Sequence, residues 1–271
     1  MVATTVELPN VRKLFVPDPG YIIGEVDLVG SEAQIIAWDA GDEDLKQAFR
    51  DGLNVHVKNA RDVFPHRVKG LSDEAIKATD HAGGAYYICK RCVHATHNGG
   101  RPSGLARQIG ISVKEAEEFQ RVWYGLHPKI KLREEYILDC LNGRIEGIPA
   151  RTIYNKFGYR IVFFDRPKQV FTEALTWIQQ STSGICCFKG GLALRKLVPW
   201  VELLLQVHDS LVLQFKLEYI KRLNEINNAL RTVIVPYDDP LCIPWSLKLS
   251  DKSWGHAEDV KWEDVNDWIP N

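Results

Sequence analysis

Apolar and polar positions along the chain follow two periods, and they alternate between them. "YIIGEVDL" (21–28) is a short apolar run with β-branched residues and predicts a buried strand. In "SEAQIIAWDAG", Ala33, Ile36, Ala37 and Ala40 recur at helical spacing, with Gly41 as the stop. "DEDLKQAFRDG" and "NVHVKNARDVFP" predict two short helices ended by Gly52 and Pro65. "GLSDEAIKATDHAGG" reads as a polar helix plus loop, and "AYYICKRCVHATHNGG" as a helix ended by two glycines. "SVKEAEEFQRVWYGLHP" opens on Ser112 with Glu115 three residues on, the pattern of a capping box. "ARTIYNKFGYRIVFF" predicts strand, turn near Gly158 and strand; "FTEALTWIQQSTSGICCFKGGLALRKL" predicts a long buried helix. Two strands around His208-Asp209, a helix over 217–232 and a strand near "WSLKLS" complete a mixed α/β pattern without repeats or a long linker.

One stretch breaks the pattern. "LLLQVHDSLVLQF" (203–215) sets His208, Asp209 and Ser210 inside an oily run, where burying them costs several kcal/mol unless something compensates. A two-residue turn at His208-Asp209 or Asp209-Ser210 puts the carboxylate at a hairpin tip, off the apolar faces. Asp27 has a similar setting, at the end of an apolar strand just before a helix. Each alone reads as an ordinary turn residue. Side by side the two repel, unless a divalent cation lies between them; hard oxygen ligands at that charge density suit Mg²⁺. On the helix of "KRCVHATHNGG", Lys90, His94 and Asn98 recur at steps of four and share a face that Arg91 borders. That is either a solvated basic stripe or the cationic element that a metal-bridged triphosphate requires.

Composition and charge narrow the classes. Apolar residues are 45% of 271, which gives one large domain or two smaller ones a real core. A formal net charge of -1 announces no nucleic acid partner, although a local basic face is enough for one. There is no apolar run of about 18 residues, hence no membrane span is indicated. "MVATTVELPN" lacks the basic-then-apolar pattern of a secretory signal. Six cysteines in a chain this long do not form a disulfide framework; reduced thiols in a cytoplasmic compartment are expected.

Three motifs in order resemble the catalytic core of family A DNA polymerases, the bacterial and phage class. "DLVGSEAQIIAWDAGDEDLKQAFRDGLNVH" is similar to the first hallmark, a strand-end Asp followed by a helix with a Glu five positions on. "KRCVHATHNGG", followed by "GLARQIGIS", resembles the fingers helix; "QVHD" (206–209) resembles the hairpin. "ALTWIQQST" is similar to the family's long helix and "SLKLSDKSWGH" to its C-terminal end, so the resemblance covers nearly the whole chain from about residue 10.

The resemblance implies an α/β (α+β) architecture: a palm with an antiparallel sheet and long helices over 1–41 and 171–271, and mostly helical fingers over 42–170. It implies template-directed DNA synthesis by two-metal nucleotidyl transfer from a dNTP to a primer 3′-hydroxyl. Asp27 and Asp209 would hold two Mg²⁺ ions, helped by the Leu28 backbone carbonyl. Lys90 would neutralise developing phosphate charge, with Arg91 beside it, and His94 would stack on the incoming nucleotide. His208 would touch the primer terminus; Gln180, Thr176 and Arg107 would face DNA. Glu32 would be the steric gate that fills the space of a ribose 2′-hydroxyl.

Several positions depart from the family pattern. Asn98 stands where Tyr is usual; it can hydrogen-bond Glu32 but cannot stack. Tyr86 replaces a frequent Arg, for which Arg91 or Arg107 could substitute. Ser210 replaces a frequent Glu, and Thr176 a common Asn. The thumb, the first part of the palm and a proofreading domain have no counterpart before the first hallmark. The expectation is therefore either a second polypeptide that supplies the thumb and remaining palm, or a chain that is a fragment or split gene product.

Two rival readings remain. One is a zinc module from Cys89, Cys92, His94 and His97, although Cys92 and His94 point apart on a continuous helix. The other is a catalytically inactive DNA-binding or polymerase-accessory relative. Trp38, Trp123, Trp177, Trp245 and Cys186-Cys187 read as core, His56 as a packing residue, and Arg151 and Arg160 as strand-edge or phosphate-facing residues.

Overall fold

A computed structural model describes residues 9–270. The palm segments expected over 1–41 and 171–271 therefore begin and end on residues outside the described range, as does most of "MVATTVELPN". The strands are β1 (Tyr21–Leu28), β2 (Thr152–Tyr154), β3 (Arg160–Val162), β4 (Glu202–Val207), β5 (Ser210–Lys216), β6 (Trp245–Ser250) and β7 (Glu258–Val260). The α-helices are α1 (Ser31–Ala40), α2 (Glu43–Arg50), α3 (Val55–Val63), α4 (Pro65–Val68), α5 (Asp73–Lys77), α6 (Ala85–His97), α7 (Pro102–Ile109), α8 (Val113–Leu126), α9 (Pro128–Asn142), α10 (Pro167–Leu197) and α11 (Asn224–Leu230). The mixed helix and antiparallel-sheet class matches the expectation.

The chain divides into two compact units. The first joins the described residues up to Ser31 with Ser183–Val235 and those from Pro240 onward. Its sheet has the order β4-β5-β1-β6-β7, and every neighbouring pair is antiparallel. β1 is central, so both its edges are hydrogen-bonded, and Ile22 to Val26 are buried. Gly24 lies where a Cβ would come within 3.1 Å of Leu213 and 3.2 Å of Leu249, which is why the middle of this strand carries no side chain. Ile23, Val212 and Trp254 form a core cluster with Leu205 and Val207 against it. The oily hairpin is asymmetric: β5 is buried from Ser210 to Phe215, whereas β4 is the sheet edge, with Leu203 and Leu204 exposed.

The second unit is Glu32–Thr182 with Pro236–Asp239. Polar caps set its helix starts. Asp42 accepts from Leu45 N–H ahead of α2, Asn54 from His56 and Val57 ahead of α3, and Ser72 from Ala75 ahead of α5. The Ser112–Glu115 capping box has both its bonds. Gly41 takes φ +66, the left-handed conformation that ends α1 without a Cβ penalty. The core includes Ile137, Leu141, Ile153, Phe163, Leu175 and Ile178. The ring of Trp123, fully buried, stacks on Phe119 and lies 4.3 Å from the His127 ring.

Four local expectations are corrected. Pro65 opens α4 instead of only ending α3, because its missing N–H costs nothing in a first turn. The segment 217–232 is a 3₁₀ helix (Leu217–Arg222) followed by α11; Tyr219 and Arg222 both pack on the Trp200 ring, and that tertiary contact overrides the helical pattern. α10 is not buried all round, since Phe188, Leu192 and Leu197 are exposed. β7 was not anticipated: "EDV" has no strand periodicity of its own and pairs only because β6 offers an edge.

Candidate active site

Sequence dictates where the first carboxylate lies. The apolar run of β1 ends at Asp27-Leu28, and the chain turns at Gly30 (φ +56) into α1. The second carboxylate comes from the hairpin, whose two-residue loop is His208-Asp209, with Val207 opposite Ser210. His208 takes φ +58, a left-handed position that a tight hairpin demands and that a non-glycine residue rarely supplies.

Register brings the two together. Asp27 is opposite Ser210 across the β1–β5 ladder, and Leu28 N–H donates to the Asp209 carbonyl at 3.2 Å. Ser31 Oγ donates to Asp209 Oδ2 at 3.1 Å, and His208 Nδ1 lies 3.3 Å from Asp209 Oδ1. On the other flank Ser246 Oγ donates to the Asp27 carbonyl at 3.3 Å. Asp27 is half-buried, and its carboxyl is pushed up to about 6, first by burial, then by the negative charges of Asp209 and Glu25. The Cys187 thiol, buried below and donating to the Ser210 carbonyl at 3.4 Å, is pushed up to about 12 by burial, with Asp209 and Asp27 adding to the effect. A half-buried carboxylate beside another carboxylate is an electrostatic cost that a cation relieves. The donor set, hard oxygens with like charge, fits Mg²⁺.

The second unit carries the predicted nucleotide-side residues. Lys90, Arg91 and His94 lie on the outward face of α6, while Cys89, Cys92, Thr96 and His97 are buried on the other. Lys90 Nζ is 3.2 Å from Asp80 Oδ2, and Arg91 stacks over the Tyr87 ring. His94 Nδ1 is 3.7 Å from Glu32 Oε2. Asn98, the C-cap of α6, has its Oδ1 2.7 Å from Gln179 Nε2 and 3.3 Å from Thr176 Oγ1, and its Nδ2 3.4 Å from His94 Nε2. Its side-chain bonds thus go to α10 and His94, where the sequence pointed to Glu32. Gln180 and Arg107 are exposed on α10 and α7, and Tyr86 is buried against His56. Burial pushes His56 down to about 4 and His97 down to about 3, so both are neutral packing residues.

Sequence reasoning did not find several polar partners. Ser31, which holds Asp209, and Gln179, fully buried against Asn98, carry no motif of their own; each meets its partner across at least 81 residues of chain. His127 and Asp42 form a buried pair, Nδ1 to Oδ2 3.1 Å, and Arg133 Nε donates to Asp39 at 2.6 Å. Among the described residues, one three-ligand grouping lies within 4.8 Å: Asp42, Asp44 and His127. Asp42 is committed to its cap and Asp44 to Lys58, so this is an ion-pair cluster of the helical unit. The cysteines of the zinc reading, Cys89 and Cys92, face the core, whereas the His94 side chain is 63% exposed. No helix among the described residues is long and apolar enough to cross a membrane.

Comparison with known proteins gives the family and the fold. The chain is 30% identical over 232 residues to DNA polymerase I of Geobacillus stearothermophilus, covering 79% of this chain and 24% of that protein. It is 25% identical over 257 residues to the DNA polymerase of Mycobacterium phage D29, covering 91% and 37%. The chain thus spans well under half the length of these curated relatives. A solved structure, the POL domain of Pol1 from M. smegmatis in complex with DNA primer-template and dNTP, superposes with a TM-score of 0.73 at 19% identity, over 91% of this chain and 42% of that one. That likeness shows the fold. The model of the family described as DNA polymerase family A matches residues 2–247, and the chain belongs to that family.

Proposed function

We propose that the chain catalyses template-directed transfer of a deoxynucleotide from a dNTP to a primer 3′-hydroxyl, as the palm and fingers portion of a family A DNA polymerase. The observation that carries the proposal is the placement of Asp27, opposite Ser210, beside the hairpin-loop residue Asp209, whose carbonyl accepts the Leu28 N–H, with the Asp27 carboxyl pushed up to about 6. Asp27, Asp209 and the Leu28 carbonyl would hold divalent cations, Mg²⁺ by the hardness of the oxygens. Such ions, when bound, lower the charge on the attacking and leaving oxygens of an in-line displacement. The chain's own residues do the rest. Ser31 and His208 orient Asp209, and the Leu28 N–H fixes the backbone of the loop.

In the same proposal the palm comprises 1–41 and 171–271 and the fingers 42–170. Lys90 and Arg91 bind the triphosphate. His94 stacks on the incoming base, and Asn98 lies beside it. Glu32 excludes the ribose 2′-hydroxyl. His208, Gln180, Thr176 and Arg107 contact DNA. The partners are primer-template DNA and a dNTP.

Primer extension with Mg²⁺ tests the reading. Extension with dNTPs, lost in Asp209→Ala and in Asp27→Ala, is expected, with or without an added thumb-bearing polymerase fragment. Extension that survives either substitution overturns the metal roles. No extension in any arm, with primer-template binding retained, overturns the catalytic reading in favour of a binding-only relative.

A further inference from the structure

Gln179 is 0% exposed on α10; its Nε2 donates to the Asn98 amide, while its buried Oε1 has no hydrogen-bond partner among the described residues. A buried primary amide held at 2.7 Å is a strong constraint, because breaking it leaves polar atoms in a dry site. The other end of Asn98 faces His94 Nε2 at 3.4 Å, and the opposite ring nitrogen, Nδ1, faces Glu32 Oε2 at 3.7 Å. All four residues belong to the same compact unit.

Building on the reading of Glu32 as the sugar gate, we propose that Gln179 is a positioning residue for sugar selection, acting through Asn98 and His94. Gln179 Nε2 donates to Asn98 Oδ1, and this fixes which way the Asn98 amide points. Its Nδ2 is then the group presented to His94. A nitrogen that receives an N–H must offer a lone pair, so in this arrangement His94 Nε2 is the acceptor and the ring proton lies on Nδ1. That proton faces the Glu32 carboxylate. The gate is thus restrained by a polar relay of Gln179, Asn98, His94 and Glu32, at the position where the family's Tyr is replaced by Asn98. With a donor of this kind the relay orients Glu32 without a tyrosine.

Two consequences are specific. In the Gln179→Met variant the amide of Asn98 loses its shorter director and keeps only the Thr176 Oγ1 contact at 3.3 Å, so the ring samples both tautomers and Glu32 is less restrained. In the Asn98→Asp variant an acceptor faces Nε2, and the proton moves to that nitrogen. Histidine-labelled protein reports the tautomer of His94 directly through its ring nitrogen resonances, with no need for activity. Unprotonated Nε2 in the unsubstituted protein, a tautomer mixture in Gln179→Met and protonated Nε2 in Asn98→Asp are the expected results. In single-nucleotide incorporation, Gln179→Met is expected to reduce the ratio of kcat/KM for dNTP over rNTP by about tenfold, the factor for the loss of one hydrogen bond. The loss should fall on discrimination, with kcat for dNTP largely kept.

A proton on Nε2 in the unsubstituted protein overturns the relay, as does an unchanged ratio in Gln179→Met. Should Gln179→Met not fold, the tautomer of the unsubstituted protein still decides. If the chain extends no primer, the resonances test the relay while the polymerase reading fails separately. If it extends with dNTP selectivity but the tautomer is reversed, the relay fails and the polymerase reading stands.

Discussion

Asp27→Asn is expected to stabilise the metal-free fold near neutral pH, although it removes a proposed metal ligand. The Asp27 carboxyl is raised from the usual 3.8 to about 6, mainly by burial and then by Asp209. A carboxyl raised on folding contributes stability in full below its unfolded value and loses it as pH rises through the folded value. The window is therefore about pH 4 to pH 6, and above it the ionised pair opposes folding. A rise of roughly two pKa units converts to about 3 kcal/mol, but Asp27 is half-exposed, and solvent screening reduces this to roughly 1 kcal/mol. For a chain of this size that is about 2–4 °C in Tm. The assay is thermal melting in EDTA across this range. Asp27→Asn should melt higher than the unsubstituted protein at about pH 7.5, with the gap closing towards about pH 4. Adding Mg²⁺ should raise the Tm of the unsubstituted protein and leave the variant unmoved. A variant that melts lower in EDTA at neutral pH, or a gap that does not change with pH, would refute the electrostatic reasoning.

Other outcomes follow from the same structure. Asp42→Ala removes the N-cap of α2 and leaves the His127 ring buried without its partner, so urea unfolding should show a loss of about 2–4 kcal/mol. Because Asp42 is held below the usual carboxylate value by its bonds to His127 and Leu45, against burial that raises it, its contribution is lost only as pH falls below about 4. Titration of native protein with a thiol reagent should find Cys242 reacting first, since it is exposed although partial burial raises its thiol too; Cys186, Cys187 and Cys92, pushed up to about 12 by burial, should react only on unfolding. Fast reaction of more than one thiol would show that the core around α6 or α10 opens readily.

Much of the sheet unit was legible in the sequence because its signals are local. Asp27 closes an apolar run and precedes a helical period, and His208-Asp209 interrupts two strands at hairpin spacing, so both carboxylates stand out before any coordinates exist. Register, which is a long-range property, makes them neighbours; sequence supplied the candidates, and the β1–β5 ladder set Asp27 opposite Ser210, next to Asp209. The same distinction explains the misses. Gln179 and Gln180 are adjacent and look alike, yet the helix turns one into the core and the other to solvent. Gln179's partner lies 81 residues away, so no spacing rule reveals it. β7 and the 3₁₀ turn at Leu217–Arg222 depend on an available sheet edge and on Trp200, which no local pattern encodes.

Binding of Mn²⁺ in place of Mg²⁺, followed by its paramagnetic signal, tests most directly whether two distant acidic residues form one cation site. The account predicts that Asp27→Asn and Asp209→Asn each abolish the tightest binding, and that the double variant loses no more than either alone. Binding retained in both single variants would contradict it.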